Sequence, residues 1–219
     1  MKINIAIDGP SAAGKSTIAD ILANELGYVH LDTGAMYRTV AYITSKAGIK
    51  IDDEEKIVNL ISNVSIDMLQ DGSVLVDGID VSKEIRTNEM SMASSNVSKL
   101  PRVREALVAM QQKISEAKGY ILDGRDIGTV VLKDAEVKIY LTASAESRAK
   151  RRVLQNIEKG YEADYDAILA DIIKRDYQDM HREFSPLVKA DDAIEIDSSD
   201  ITKEEVVTKI LEVVNQKIK

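Results

Sequence analysis

Residues 9 to 16 read Gly-Pro-Ser-Ala-Ala-Gly-Lys-Ser, and no other stretch of the chain limits its fold as much. A G-x-x-x-x-G-K-[ST] run wraps phosphate oxygens with backbone N–H groups, which requires a strand ending just before it and a helix opening at its end. Both flanks are present. Ile3 to Ile7 form a short apolar run closed by Asp8, and beyond the loop Ile18, Ile21, Leu22 and Leu26 recur on one side of a helix that Gly27 can stop. At ordinary residue frequencies the four fixed positions occur by chance in roughly one chain of this length in a hundred, before that context is required. Lys15 is expected to bring a compact positive charge to the β and γ oxygens of a nucleoside triphosphate. Ser16 is expected to offer its hydroxyl to the accompanying Mg²⁺, with Gly9, Pro10, Ser11, Ala12, Ala13, Gly14 and Thr17 completing the cradle.

Further short apolar runs at 28–31, 120–122, 137–141 and 193–196 alternate with helical patterns. That rhythm predicts an α/β fold whose parallel sheet has about five strands flanked by helices. After Pro101, which suits a first helical turn, Val103, Leu107, Met110 and Ile114 repeat at helical spacing, with Gly119 closing the segment. Thr202 with Glu205 forms a capping box ahead of Val206, Ile210 and Val213 or Val214. Two stretches break the rhythm. Residues 64–81 alternate around Asp71-Gly72 and Asp77-Gly78, both turn signals, and predict a small β-rich insertion. Residues 152–179 are highly charged, with Gly160 and Tyr161 between two helical segments, as expected of a movable lid.

Composition narrows the function. The 219 residues contain no cysteine, which excludes disulfides, thiolate metal sites and cysteine nucleophiles and agrees with a reducing compartment. A net charge of -8, with no tryptophan and one phenylalanine (Phe184), argues against a nucleic-acid or membrane partner. With no signal segment or apolar run near eighteen residues, a cytoplasmic protein is expected. The lack of obvious extra apolar faces predicts a monomer.

Neither Asp-x-x-Gly nor [AsnThr]-Lys-x-Asp occurs, so a guanine-nucleotide switch is disfavoured and phosphoryl transfer to an acceptor remains. An anionic acceptor needs cations, because the transferring group spreads charge over its oxygens. Arg38 follows the second strand and Arg125 the third. Arg148, Arg151 and Arg152 share one helical face, as do Arg175, Asp179 and Arg182. In open α/β sheets such strand-end groups meet at the carboxyl edge, where ligands bind. Asp123 and Asp126 suit Mg²⁺ organisers, acceptor ligands or helix caps after a strand. His30 and His181 lack partners at metal-ligand spacing and are expected to sit in core or on surface.

The stretches Ile-Asp-Gly-Pro-Ser-Ala-Ala-Gly-Lys-Ser, Leu-Asp-Thr-Gly-Ala-Met-Tyr-Arg, Glu-Ile-Arg-Thr, Pro-Arg-Val-Arg-Glu-Ala-Leu and Asp-Gly-Arg-Asp-Ile-Gly-Thr-Val-Val, with Arg175-Asp176 and Ser185-Pro186-Leu187, resemble bacterial cytidylate kinases in order and spacing. The likeness runs from about Ile3 to the final helix. It implies a P-loop fold that transfers phosphate from ATP to CMP or dCMP with Mg²⁺. It further implies a core at about 1–32, 101–150 and 183–219, an acceptor-binding subdomain at about 33–100 and a lid at about 151–182. Ser95, Arg104 and Asp126 would then read the cytosine edge, since a carboxylate accepts from the exocyclic amine that uracil lacks. Asp179, placed by Arg175, would read the sugar hydroxyl. Arg38, Arg125 and Arg182 would hold the acceptor phosphate in fork-like hydrogen bonds beside Tyr37 and Thr33. Arg148, Arg151 and Arg152 resemble lid arginines that stabilise the transferring group, Arg152 first among them. Lys15, Arg125, Arg148, Arg152 and Arg182 make up the implied catalytic set.

Overall fold

A computed structural model describes residues 1–69, 71–158 and 160–218. Gln70 in the expected insertion, Lys159 in the expected lid and the terminal Lys219 lie outside the described residues. In chain order the elements are β1 (Ile5–Asp8), α1 (Lys15–Leu26), β2 (Val29–Asp32), α2 (Thr33–Lys46), α3 (Glu54–Ser62), β3 (Ile66–Met68), β4 (Val74–Val76) and β5 (Ile79–Asp80). There follow α4 (Asn88–Val97), α5 (Pro101–Ser115), β6 (Tyr120–Gly124), β7 (Val137–Thr142), α6 (Ala145–Glu158), α7 (Tyr165–His181), β8 (Ile194–Asp197) and α8 (Lys203–Ile218). A 3₁₀ turn at Glu84–Arg86 and a π-helical turn at Ile127–Val131 complete the set.

Five strands form one parallel sheet in the order β2-β6-β1-β7-β8. Successive side chains of a strand point to opposite faces, and in a parallel sheet both faces must be covered. Ala6 and Leu122 therefore join one core with Met36, Val40, Ile57 and Leu107 from α2, α3 and α5. Ile5, Ile7, Ile121 and Ile139 join a second core with Ile18 and Leu22 of α1 and Ile210 of α8. Each such buried Leu, Ile, Val or Met side chain contributes about 1.5–3 kcal/mol. The predicted strands all form, with ends shifted by one or two residues. Ile3, expected in β1, is buried outside the ladder and instead accepts from Gly119 N–H and donates to the Tyr28 hydroxyl.

Local signals behave as elementary stereochemistry dictates. Gly27 takes the left-handed conformation at the end of α1. Asp77 and Gly78, both at positive φ, join β4 to β5 as the two-residue loop of an antiparallel hairpin. Thr202 and Glu205 exchange their capping bonds, and Val214 rather than Val213 is fully buried. Gly119 does not close α5, which ends four residues earlier at Ser115 with Glu116 as its cap; at φ +86° it instead makes the turn into β6. The surface also differs from expectation. Ile173, Tyr177 and Met180 stand exposed at helical spacing on α7, which removes the ground for expecting a monomer.

The register aligns Asp8 with Gly124 and Asp32 with Asp123, so the carboxyl ends of β1, β2 and β6 open at one edge. There the turn after β1 passes close over β7. A Cβ on Gly9, at φ +151°, would lie 1.9 Å from the Leu141 carbonyl oxygen. Only glycine fits. Gly9→Ala is expected to cost about 3 kcal/mol of stability through backbone displacement. A urea midpoint indistinguishable from the parent protein would contradict that close approach.

Candidate active site

The carboxyl edge of the sheet opens into a cleft of about 480 Å³. Its walls come from residues 11–17, α2, α4, the turn after β6, α6 and α7. Every residue singled out from the sequence for chemistry lines it except Gly9, Pro10 and Arg148.

At one end lies the glycine loop. Ala12 and Gly14 adopt positive φ, and Gly14 caps α1 without a side-chain bond, so the orphan N–H groups of that helix start are left for a ligand. Lys15 is only 6% exposed, and its Nζ donates to the Pro10 carbonyl at 2.7 Å. Burial first, then the charge of Arg125, lowers its pKa to about 7. Two helices brace this loop. Asp176 of α7 accepts from Ser11 N–H at 3.3 Å and pairs with Arg148 of α6 at 2.6 Å. Arg148 also donates to the carbonyls of Ser11 and Ala143, both at 2.9 Å. Its guanidinium is thus committed to holding the loop backbone, outside the cleft where the lid arginines were expected.

Beside the loop, Ser16 Oγ donates to Asp123 Oδ2 at 2.9 Å. Asp123 is no helix cap: it is the penultimate residue of β6, and its other oxygen meets His30 Nε2 at 2.7 Å. His30 Nδ1 in turn meets Asp20 Oδ1 at 2.6 Å. His30 is therefore neither a core nor a surface histidine but a link between two carboxylates. Burial opposes its charge, yet the hydrogen bonds and charges of Asp123 and Asp20 outweigh that and lift its pKa to about 9. For Asp123 burial again opposes charge, and His30 and Lys15 hold it ionised below the usual carboxylate range.

At the opposite end arginines gather. Arg38 Nη2 pairs with Asp32 Oδ2 at 2.8 Å, and Arg125 Nε pairs with Asp179 Oδ2 at 2.8 Å. Arg104 pairs with Asp126 deep in the wall, while Arg182 stands 3.6 Å from the second oxygen of Asp126. The sequence reading had Arg175 placing Asp179. Instead Arg125 takes that carboxylate, and Arg175 Nη1 donates to Ser91 Oγ at 2.8 Å. Burial and the charges of Arg125, Arg38 and Arg152 lower the Arg175 pKa to about 10, a sign of how closely these cations crowd. Ser95 Oγ meets Gln178 Oε1 at 3.4 Å, and Thr33 Oγ1 donates to the Asp123 carbonyl at 2.7 Å. Tyr37 is half-buried, with the Arg104 guanidinium 5.4 Å above its ring. Asp126 sits on a turn fixed from behind by Asp8, which accepts from Ile127 and Gly128 N–H at 2.8 and 2.7 Å. Burial pushes the Asp8 pKa up to about 6 against those two bonds.

Among the described residues eight buried side-chain polar atoms lack a hydrogen-bond partner. Five of them, Tyr37 Oη, Arg38 Nε, Arg104 Nε, Arg175 Nε and Arg182 Nη2, belong to this end of the cleft. Native proteins rarely bury unpaired donors. Their concentration marks a place built for an acceptor-rich, anionic molecule. The sequence does not reveal the roles of Asp8, Ser91 and Asp176, whose partners lie far along the chain, nor that of Asp20 beside His30, nor Arg86, Gln155 and Asn156 on the cleft wall.

A family model for cytidylate kinase matches residues 5–216. The cytidylate kinase of Caldicellulosiruptor bescii is 54% identical over 100% of this chain and 98% of its own. Those of Enterococcus faecalis and Bacillus subtilis are 51% and 48% identical, each over 99% of this chain and at least 97% of their own. Among solved structures, an uncharacterized protein from Eubacterium ventriosum shares the fold, with a TM-score of 0.54 and 13% identity over 99% of both chains.

Proposed function

The chain belongs to the cytidylate kinase family, and from that membership we infer that it moves the γ-phosphoryl group of ATP onto CMP, giving ADP and CDP. The observation that supports this most is the two-ended cleft: a phosphate loop faces a pit of crowded arginines, four of which bury one donor without a hydrogen-bond partner. Two anions that repel each other can be brought together only where cations outweigh that repulsion.

Positioning and electrostatics do the work, with no covalent intermediate and no dedicated base. Lys15 and the N–H groups of the loop hold the donor phosphates. Arg38, Arg125 and Arg182 hold the acceptor phosphate, exchanging their present carboxylate partners for its oxygens. Arg152, on the α6 wall where burial and then the charge of Arg38 lower its pKa, stabilises the group in transit. Asp126, Arg104 and Ser95 read the cytosine edge. Asp179, Arg175 and Ser91 meet the sugar, and dCMP is a second acceptor. Residues 33–100 form the acceptor-binding subdomain, and residues 151–182 act as the lid that excludes water.

Ser16 and Asp123 present hard oxygen ligands 2.9 Å apart, the donor set Mg²⁺ prefers. Among the described residues no cluster of three metal-binding side chains occurs. When bound there, Mg²⁺ would neutralise charge across the β and γ oxygens. No helix among the described residues is long and apolar enough to cross a membrane.

ADP formation from ATP and Mg²⁺, measured with CMP and with no acceptor, tests the reaction. Turnover that depends on CMP supports it; equal turnover without acceptor rejects phosphoryl transfer.

Binding should also be linked to protons. Near a pKa of about 7 much of Lys15 is neutral in the free protein above pH 7, whereas a bound polyanion favours its charged form. ATP binding at pH 8 is therefore expected to take up close to one proton, and affinity falls as pH rises from 7 to 9. Calorimetry in buffers of different ionisation enthalpy counts that proton. Lys15→Arg, whose charge is fixed, should lose the uptake. The same proton count in both proteins would rule out Lys15 as its source.

A further inference from the structure

The metal side of the cleft has a support that the reaction itself does not call for. Asp20 of α1, His30 of β2 and Asp123 of β6 form a continuous row that ends on Ser16. Both ring nitrogens of His30 face carboxylate oxygens, at 2.6 and 2.7 Å, so the ring donates in both directions. Carboxylates only accept when ionised, and no other arrangement satisfies the pair. The side chains of His30 and Asp123 are 12% and 6% exposed, whereas that of Asp20 is 65% exposed. The row therefore runs from solvent to the floor of the cleft.

Its effect on Asp123 is geometric. One carboxylate oxygen is taken by the ring and the other is left facing the Ser16 hydroxyl. Released from His30, a buried carboxylate could rotate to engage a cation through both oxygens or turn toward Lys15, whose charge already acts on it. Mg²⁺ tolerates little of this, since it demands near-octahedral geometry with oxygen ligands at fixed short distances. Groups that orient a ligand in this way are commonly worth 10- to 100-fold in metal affinity.

We propose that His30, steadied by Asp20, is a positioning residue of the metal–nucleotide site, pinning Asp123 by one oxygen so that the other is presented beside Ser16 for Mg²⁺. The proposal rests on the reading of Ser16 and Asp123 as the metal-facing pair of an ATP-dependent kinase. It concerns nucleotide binding, so it can be measured without any acceptor.

The test is calorimetric binding of ATP to the intact protein in EDTA and in Mg²⁺, for the parent protein, His30→Leu, His30→Gln and Asp20→Asn, with thermal unfolding as a check on the fold. In the parent protein Mg²⁺ tightens ATP binding. In His30→Leu that enhancement is expected to fall about 10-fold, while affinity in EDTA stays within about twofold. His30→Gln, whose amide can still donate to Asp123, recovers part of the enhancement. Asp20→Asn, a change at an exposed position, lowers it by about threefold and remains informative if His30→Leu does not fold. Two results would overturn the proposal: an Mg²⁺ enhancement in all three variants equal to that of the parent, or equal losses in EDTA and in Mg²⁺, which mark a merely structural role. Failure of the functional reading looks different, since the parent protein would then show no CMP-dependent ADP formation whatever the variants bind.

Discussion

Lys15→Met is expected to lower kcat with saturating ATP and CMP on the order of 1000-fold while the protein remains folded. The side chain is buried at the start of α1, with its ammonium on the Pro10 carbonyl inside the loop that receives the donor phosphates. Methionine keeps the length and volume and removes only the charge. That charge matters most when negative charge shifts toward the bridging oxygen, so kcat falls more than ground-state affinity. The same substitution should raise the unfolding temperature. Burial lowers the Lys15 pKa to about 7, which means the folded state bears a cost for holding it charged, and methionine removes that cost. Steady-state kinetics and a thermal melt on one preparation check both directions. A loss of turnover below tenfold would remove Lys15 from the chemistry.

The second large effect lies at the other end. Asp126→Ala is expected to reduce kcat/KM for CMP by roughly 1000-fold or more, with ATP binding changed by less than about threefold. A site built to accept from an amine loses both that bond and the partner of a buried guanidinium, since Arg104 and Asp126 are each about 5% exposed and paired. Breaking such a pair costs about 3–5 kcal/mol of stability on its own. Asp126→Asn separates recognition from folding. It keeps the volume and offers an amide donor as well as an acceptor, so discrimination between cytosine and uracil should narrow while the fold holds. Unchanged CMP kinetics in either variant would exclude Asp126 as the base reader.

The elements that the sequence made legible are those fixed by neighbours a few residues away. The loop at 9–17 must be glycine-rich to approach phosphates, Asp77-Gly78 must turn because both residues take positive φ, and Thr202 with Glu205 must cap because each reaches the other's N–H. The short apolar runs of the parallel strands were legible for the same reason. Strand ends were not, because the register with adjacent strands decides where a ladder begins, and Ile3 is diverted to Tyr28 and Gly119.

The site divides along the same line. Residue types and strand-end positions, with the family resemblance for Tyr37, Ser95 and Arg104, placed nearly every predicted residue on the cleft wall. Pairing could not be read, since it depends on groups brought together across the fold. Asp179 meets Arg125 across 54 residues, His30 meets Asp123 across 93, and Arg148 meets Ser11 across 137. Three arginines on one helix face look alike in a sequence. In the fold Arg148 braces the loop, Arg151 bonds to Ser198, and Arg152 remains on the cleft wall.

The central claim is that this cleft selects cytosine while the arginine pit holds the phosphate of any small nucleotide that enters. Competition between CMP and UMP at equal concentration, with limiting ATP and Mg²⁺ and both diphosphate products quantified, measures it directly. The account predicts CDP in large excess over UDP, with the excess shrinking in Asp126→Asn; equal amounts of CDP and UDP from the parent protein would contradict it.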